Sequence, residues 1–196
     1  EMLRSLVGSE MCIRDSFRGA STVANKMNRV QADSIGMLAT IQNSIALHEK
    51  FNELKAESVI FTSRNIGNIG TIFDSAKAKS ALEGKVITIF GGGTGNPFFT
   101  TDTAAVLRAL ETDSEIVIKG TKVDGIYDKD PRKFKDAKLF RTISFDEYIK
   151  LNLKVMDLTS ITLAKEFQLP IKVFNLKKYG NIKRAIYEDD FGSTIL

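Results

Sequence analysis

The stretch from Lys85 to Leu110, KVITIFGGGTGNPFFTTDTAAVLRAL, constrains the fold of this chain more than any other. Its β-branched start, Lys85–Phe90, predicts a strand. The glycine-rich loop Gly91–Asn96 follows, and Thr101 or Asp102 is placed to cap a helix running to Leu110. A strand, a glycine loop and a helix in that order form the unit from which α/β proteins are built.

The rest of the chain repeats the alternation. Ala32–Glu57 predicts a long helix, with Ile35, Leu38, Ile41 and Ile45 as its apolar stripe and Glu49, Lys50, Glu53 and Lys55 on its wet face. His48 extends the stripe and reads as structural. Ser58–Thr62 predicts a strand, Phe73–Glu83 a helix stopped by Gly84, and Glu115–Lys119 a further strand. Val155–Phe167 predicts a helix, Ile171–Asn175 a strand, and Asn181–Leu196 one more short helix and strand. The expected architecture is α/β with a mostly parallel, covered sheet. Asp128–Arg141 is the one long irregular stretch, and loops of that length in compact α/β proteins are often functional.

Composition excludes several classes. A single cysteine, Cys12, cannot form an internal disulfide, and one cysteine with one histidine does not make a zinc site. No apolar run reaches membrane-spanning length. The net charge of +4 is mild and spread along the chain, and a phosphate-bearing ligand explains it as well as nucleic acid does. Lys129–Lys138 is the richest basic stretch but carries acids too, so it reads as a solvated loop rather than a nucleic-acid surface.

Three segments carry candidate chemistry. In the first, Gly91–Asn96 leads into a helix start, where glycines admit a ligand to the backbone and free amides favour an anion. It is neither a Walker A loop nor a G-x-G-x-x-G fingerprint, and alone it leaves both a tight turn and a phosphate site open. In the second, Lys119–Pro131, Lys119 and Lys122 offer charge, Tyr127 a ring for a base, and Asp130 an acceptor for ribose hydroxyls. A Val-Asp-Gly turn with solvated charges fits the same pattern. The third joins Phe17-Arg18-Gly19 to MNRVQADSIGML, where Arg18 suits phosphate and Asp33 lies near a helix start.

Taken together, Phe17-Arg18-Gly19, MNRV-x-AD-x-x-GMLAT, GTGNPFFTTD, TKVDGIYDKDP and LKVMDLTS resemble bacterial UMP kinases of the amino-acid kinase superfamily. The likeness runs from Phe17 to the C terminus. It implies a three-layer α/β/α sandwich with UMP bound within about residues 17–110 and ATP within about 111–196. Asp33 would then hold the UMP ribose, and Thr94, Gly95, Asn96, Pro97, Phe98, Phe99, Thr100 and Thr101 would wrap its phosphate and base. Arg18, Thr121, Tyr127 and Asp130 would bind ATP. Lys119 would steady the transferred phosphoryl group with Asp102 and Asp157 as supporting acids, and Mg²⁺ would travel with ATP rather than in a protein metal site. The resemblance also implies a cytoplasmic homohexamer serving pyrimidine nucleotide synthesis. A relative with an amino-acid or carbamate acceptor, or a nucleotide-binding protein without turnover, are the alternatives. The family's K-L-S-G-E strand and G-G-G-N loop are absent, and Glu1–Ser16 (residues 1–16) matches nothing in the family and shows no strand or helix periodicity. That segment is expected to be unrelated sequence, the domain to span 17–196 without its first strands, and the polypeptide to lack turnover.

Overall fold

The computed structural model describes the backbone of residues 5–7 and all of residues 27–196. The chain divides into two compact units, the first running to Asp113 and the second from Ser114 to Leu196.

The first unit is a four-stranded, wholly parallel sheet with helices. Its elements are β1 (Ser5–Val7), α1 (Arg29–Glu53), β2 (Ser58–Thr62), β3 (Thr71–Ile72), α2 (Ser75–Glu83), β4 (Ile87–Gly91) and α3 (Thr101–Glu111). The strand order is β1-β4-β2-β3, with Ser5 facing Thr88 and Phe61 facing Phe90 across the ladders. Glu1–Ser16, expected to form no element, therefore contributes a strand. Three residues are too few to show a period of two, and the free edge of β4 supplies the partners that the local sequence does not.

The long helix begins at Arg29 because the Asn28 side chain accepts from the Val30 amide at 2.9 Å. It ends at Glu53, four residues short of the expected Glu57, ahead of Lys55 at a left-handed φ of 55°. Its expected apolar stripe is corrected too. Ile41 is buried, but Leu38 and Ile45 are 48% and 40% exposed, and the covered face is Ala32, Ala39, Thr40, Ile41, Asn43 and Ser44. The cause is close approach: a Cβ on Gly91 would lie 2.7 Å from Ser44 Oγ and 3.3 Å from Ile41 Cα, so large side chains have no room between helix and strand. His48 joins α1 to the sheet through a 2.8 Å hydrogen bond between Nδ1 and Ser58 Oγ.

Below the sheet, Phe61 and Phe90 stack at 5.8 Å, and Phe73 meets both edge-on at 6.3 and 5.7 Å. That packing keeps Phe73 outside α2, whose cap is Asp74, accepting from Lys77 N at 2.9 Å. The Arg108 guanidinium lies 3.8 Å from the centre of the Phe73 ring and pairs with Glu111. Burial pushes the Arg108 pKa down, and Glu111 opposes the shift.

The second unit carries β5 (Val117–Thr121), β6 (Ile126–Tyr127), β7 (Leu139–Phe140), β8 (Thr142–Ile143), α4 (Phe145–Lys150), α5 (Leu158–Glu166), β9 (Ile171–Asn175), α6 (Asn181–Tyr187) and β10 (Ser193–Ile195). Its sheet has the order β5-β9-β10-β8, parallel except between β9 and β10, while β6 and β7 form an antiparallel ribbon. The expected helix from Val155 starts only at Leu158. Tyr148 Oη accepts from Met156 N at 2.8 Å and donates to Met156 O at 3.3 Å, which holds that residue outside the helix, and Asp157 becomes the cap. Every residue of β9 is buried. Among them Lys172 donates to the carbonyls of Ala185 and Glu188 at 3.2 and 2.9 Å, so its ammonium sits at the C-terminal end of α6, where a cation is favoured. No helix among the described residues is long and apolar enough to cross a membrane.

One buried hydroxyl has no hydrogen-bond partner among the described residues, that of Thr88 on β4. Removing an unsatisfied buried polar atom without changing shape favours the folded state. Thr88→Val should raise the unfolding free energy by about 1 kcal/mol; a lower urea midpoint would show that the hydroxyl is satisfied in solution.

Candidate functional site

In the first unit, the candidate site lies where β4 ends, the edge at which parallel α/β sheets place ligands. Gly92, Gly93 and Gly95 take φ of 86°, 61° and 81°, a region that costs other residues free energy, and Phe98 joins them at 71°. Side chains from two directions fix this bend. From α1, Thr40 Oγ1 accepts from Gly92 N at 2.8 Å, and Asp33 Oδ2 accepts from Phe98 N at 2.8 Å. From the end of β2, Ser63 Oγ donates to Gly92 O at 2.7 Å, and Arg64 donates from Nε and Nη2 to Gly95 O at 3.0 and 2.8 Å. Arg29 Nε donates to both oxygens of Asp33 at 2.9 and 2.8 Å, one helical turn away.

Inside the loop, Thr94 Oγ1 accepts from Asn96 N and donates to Asn96 O, both at 3.2 Å. Beyond it, Thr100 caps α3 by accepting from Asp102 N at 3.1 Å and Thr103 N at 3.2 Å, which corrects the expected cap at Thr101 or Asp102. Thr100 has the extended backbone a cap needs, and Asp102 becomes the first-turn acid, a favourable place for negative charge. Phe98 and Phe99 remain 65% and 50% exposed beside the bend. The structure thus brings Asp33 together with the loop holding Thr94 to Thr101, residues some sixty positions apart in sequence. Arg18 lies outside the described residues. Arg29, Thr40, Ser63 and Arg64 escaped the sequence reading. Arg29 and Thr40 stood inside a recognised string, MNRV-x-AD-x-x-GMLAT, without being singled out, and Ser63 and Arg64 lack any local signal.

The second unit presents its own cluster at the end of β5. Lys119 Nζ donates to Val155 O at 2.7 Å, two residues before the Asp157 cap, whose Oδ1 accepts from Ser160 N at 3.0 Å. Thr121 Oγ1 donates to Val123 O at 2.7 Å. Asp124 accepts from Asn175 Nδ2 at 2.9 Å and Lys178 Nζ at 3.1 Å, and these bonds, Asn175 first, hold its carboxyl below the usual range. Tyr127 is half-buried on β6. Asp130 is not idle: Arg132 binds it through N at 3.0 Å and through Nε and Nη2 at 3.1 Å, lowering its pKa. The basic loop neutralises itself further, since Lys129 pairs with Asp136 at 2.6 Å and lies 5.5 Å from the Phe134 ring centre. Of the three expected catalytic residues, Lys119 and Asp157 therefore belong to the second unit and Asp102 to the first.

A sequence profile of the amino acid kinase family matches residues 2–175. The chain belongs to the amino acid kinase family. It is 43% identical over 180 residues to a uridylate kinase of Buchnera aphidicola, covering 91% of this chain and 74% of that protein. A uridylate kinase of Psychromonas ingrahamii is also 43% identical, over 179 residues, with 91% and 72% covered. Among solved structures, the UMP kinase of Bacillus anthracis superposes with a TM-score of 0.89 at 33% identity, covering 93% of this chain and 76% of that one. The UMP kinase of Ureaplasma parvum gives 0.83 at 33% identity, with 91% and 77% covered. These likenesses carry the α/β fold of the family to this amino acid kinase. The profile match begins within the segment 1–16, which also holds β1.

Two loop glycines of this kinase differ in what a side chain would meet. A Cβ at Gly92 would fall 2.3 Å from Ser63 Oγ, whereas at Gly93 the nearest atom is Met37 Cγ at 4.0 Å. Gly93→Ala should cost about 1 kcal/mol from its left-handed backbone alone. Gly92→Ala should cost more, about 2–3 kcal/mol, because Ser63 must also give up its bond to Gly92 O. Equal losses in chemical denaturation would show that the Ser63 clamp contributes nothing.

Proposed function

We propose that the chain transfers the γ-phosphoryl group of ATP to UMP, giving UDP and ADP. The observation that carries this reading is the bend at Gly92–Phe98, fixed at the end of β4 and joined to Asp33 on α1, in a chain whose relatives are named uridylate kinases. The loop supplies backbone amides and the start of α3, which suit a phosphate monoester. The exposed rings of Phe98 and Phe99 supply surfaces for a base. The Asp33 carboxylate, with acceptor capacity beyond the bonds from Phe98 and Arg29, takes the ribose hydroxyls.

Thr121, Tyr127 and Asp130 hold ATP in this reading, together with Arg18. Asp130 exchanges the exposed Arg132 for ribose hydroxyls, which costs little because exposed ion pairs are weak. Lys119 brings positive charge to the phosphoryl group in transit, and Asp102 and Asp157 act as supporting acids. Phosphoryl transfer needs such placement and charge neutralisation more than covalent chemistry. No group of three or more histidine, cysteine or acidic side chains among the described residues is gathered to hold a metal ion. In this reading Mg²⁺ is carried on the phosphates of ATP, where it neutralises their charge. The reading includes a cytoplasmic homohexamer serving pyrimidine nucleotide synthesis.

Nucleotide titration alongside an ADP-release assay over UMP, carbamate and amino-acid acceptors tests the assignment. UMP should be preferred, and preference for another acceptor would overturn it. Asp33→Ala should weaken UMP binding by about 1.5–3 kcal/mol and leave ATP unchanged. Asp130→Ala should affect ATP alone. The reverse pattern would exchange the two sites.

A further inference from the structure

Gly95 O and Phe98 N are three residues apart, the two groups that close on each other in an ordinary β-turn. Here each is taken by a side chain. Arg64 donates twice to the carbonyl, at 3.0 and 2.8 Å, and Asp33 accepts from the amide at 2.8 Å. The two side chains carry opposite charge and come from different elements, one just past β2 and the other on α1. Between them stand Asn96 and Pro97, at the middle of the segment assigned to the acceptor.

We propose that Arg64 is a positioning residue of the acceptor site, which holds the Gly95–Phe98 bend open by engaging its carbonyl while Asp33 engages its amide. This inference rests on the UMP reading for its ligand, but its geometry stands on contacts within the first unit. Arg64 is an exposed residue, so it adds little to the core. Its two donors converge on one backbone oxygen, which ties the guanidinium to the loop rather than to a neighbouring surface charge. The loop also lies directly against the same segment: a Cβ on Gly95 would be 3.2 Å from both Cβ and O of Ser63. At the other end, Arg29 holds both oxygens of Asp33, so the amide-side anchor is itself oriented. Phe98 pays a conformational cost at φ 71°, and the brace keeps it there without ligand. A site set before the ligand arrives loses less ordering entropy on binding.

The experiment measures UMP and ATP dissociation constants by calorimetry for the wild-type chain, Arg64→Ala, Arg64→Lys, Asp33→Asn and the double variant. Arg64→Ala should weaken UMP about five- to tenfold, leave ATP unchanged and leave the thermal midpoint in place. Arg64→Lys keeps the charge without the fork and should recover part of the loss. In the Asp33→Asn background the Arg64→Ala penalty should shrink, because a bend released at one end gains little from the other. Additive penalties, or unchanged UMP affinity in Arg64→Ala, would overturn the brace. Chymotrypsin cleavage after Phe98 and Phe99 gives a readout that needs no ligand: it should quicken several-fold in Arg64→Ala, and an unchanged rate would also overturn the proposal. A wild-type chain indifferent to UMP would instead fail the functional reading, with the cleavage result still judging the brace.

Discussion

The contact between α1 and the end of β4 governs the first unit. Helix and strand touch there almost backbone to backbone, with Ser44 and Ile41 against Gly91 and Thr40 against the Gly92 amide. Native interiors leave few voids, so a pair of elements this close must be lined by glycine and small residues. The same contact decides where the large residues of α1 go. Leu38 and Ile45 turn outward because the inward face has been given to Ala39, Thr40 and Ser44. It also decides the start of the loop, because a strand ending in glycine against a helix must turn at once, and Gly92 and Gly93 supply the left-handed backbone for doing so.

From that contact the loop inherits its anchorage. Thr40 and Asp33 lie two helical turns apart on α1, and each meets a different amide of the loop, Gly92 and Phe98. Ser63 and Arg64 answer from the sheet side through carbonyls. The bend is held through its main chain throughout, which leaves Asn96, Phe98 and Phe99 free to differ in side-chain role from the residues that support them. The second unit uses a different device. Its Thr121 and Asp130 bond to Val123 and Arg132, two residues away in each case, while Asp124 is held from β9 and just beyond it by Asn175 and Lys178.

How much of this was legible in the sequence follows from where each cause sits. β2 and β9 are found at their expected bounds because short runs rich in β-branched and aromatic residues, SVIFT and IKVFN, mark strands without outside help. The helix starts drifted by up to three residues, because they are chosen by individual capping side chains at Asn28, Asp74, Thr100 and Asp157 that compete with neighbours of similar capping power. The pairs Thr71–Ile72 and Thr142–Ile143 are strands only because a partner edge lies beside them, and no local pattern announces them. The apolar stripe of α1 was misread for a related reason: periodicity reports which side chains are apolar, but closeness of approach decides which of them fit. In the site, the glycine loop and Asp33 stood out as strings, whereas Ser63 and Arg64 act across about thirty residues of intervening chain and carry no mark of their own.

Lys172 has a use that its setting in β9 makes available. Its amine is shielded and bonded to two carbonyls at the end of α6, while most of the other lysines of the second unit stand in solvent. An acylating reagent should therefore modify the surface amines quickly and reach this one only when the sheet opens. The extent of labelling at Lys172 against its neighbours would then act as an internal clock for the opening of the second unit, read at a single residue and needing neither nucleotide nor turnover.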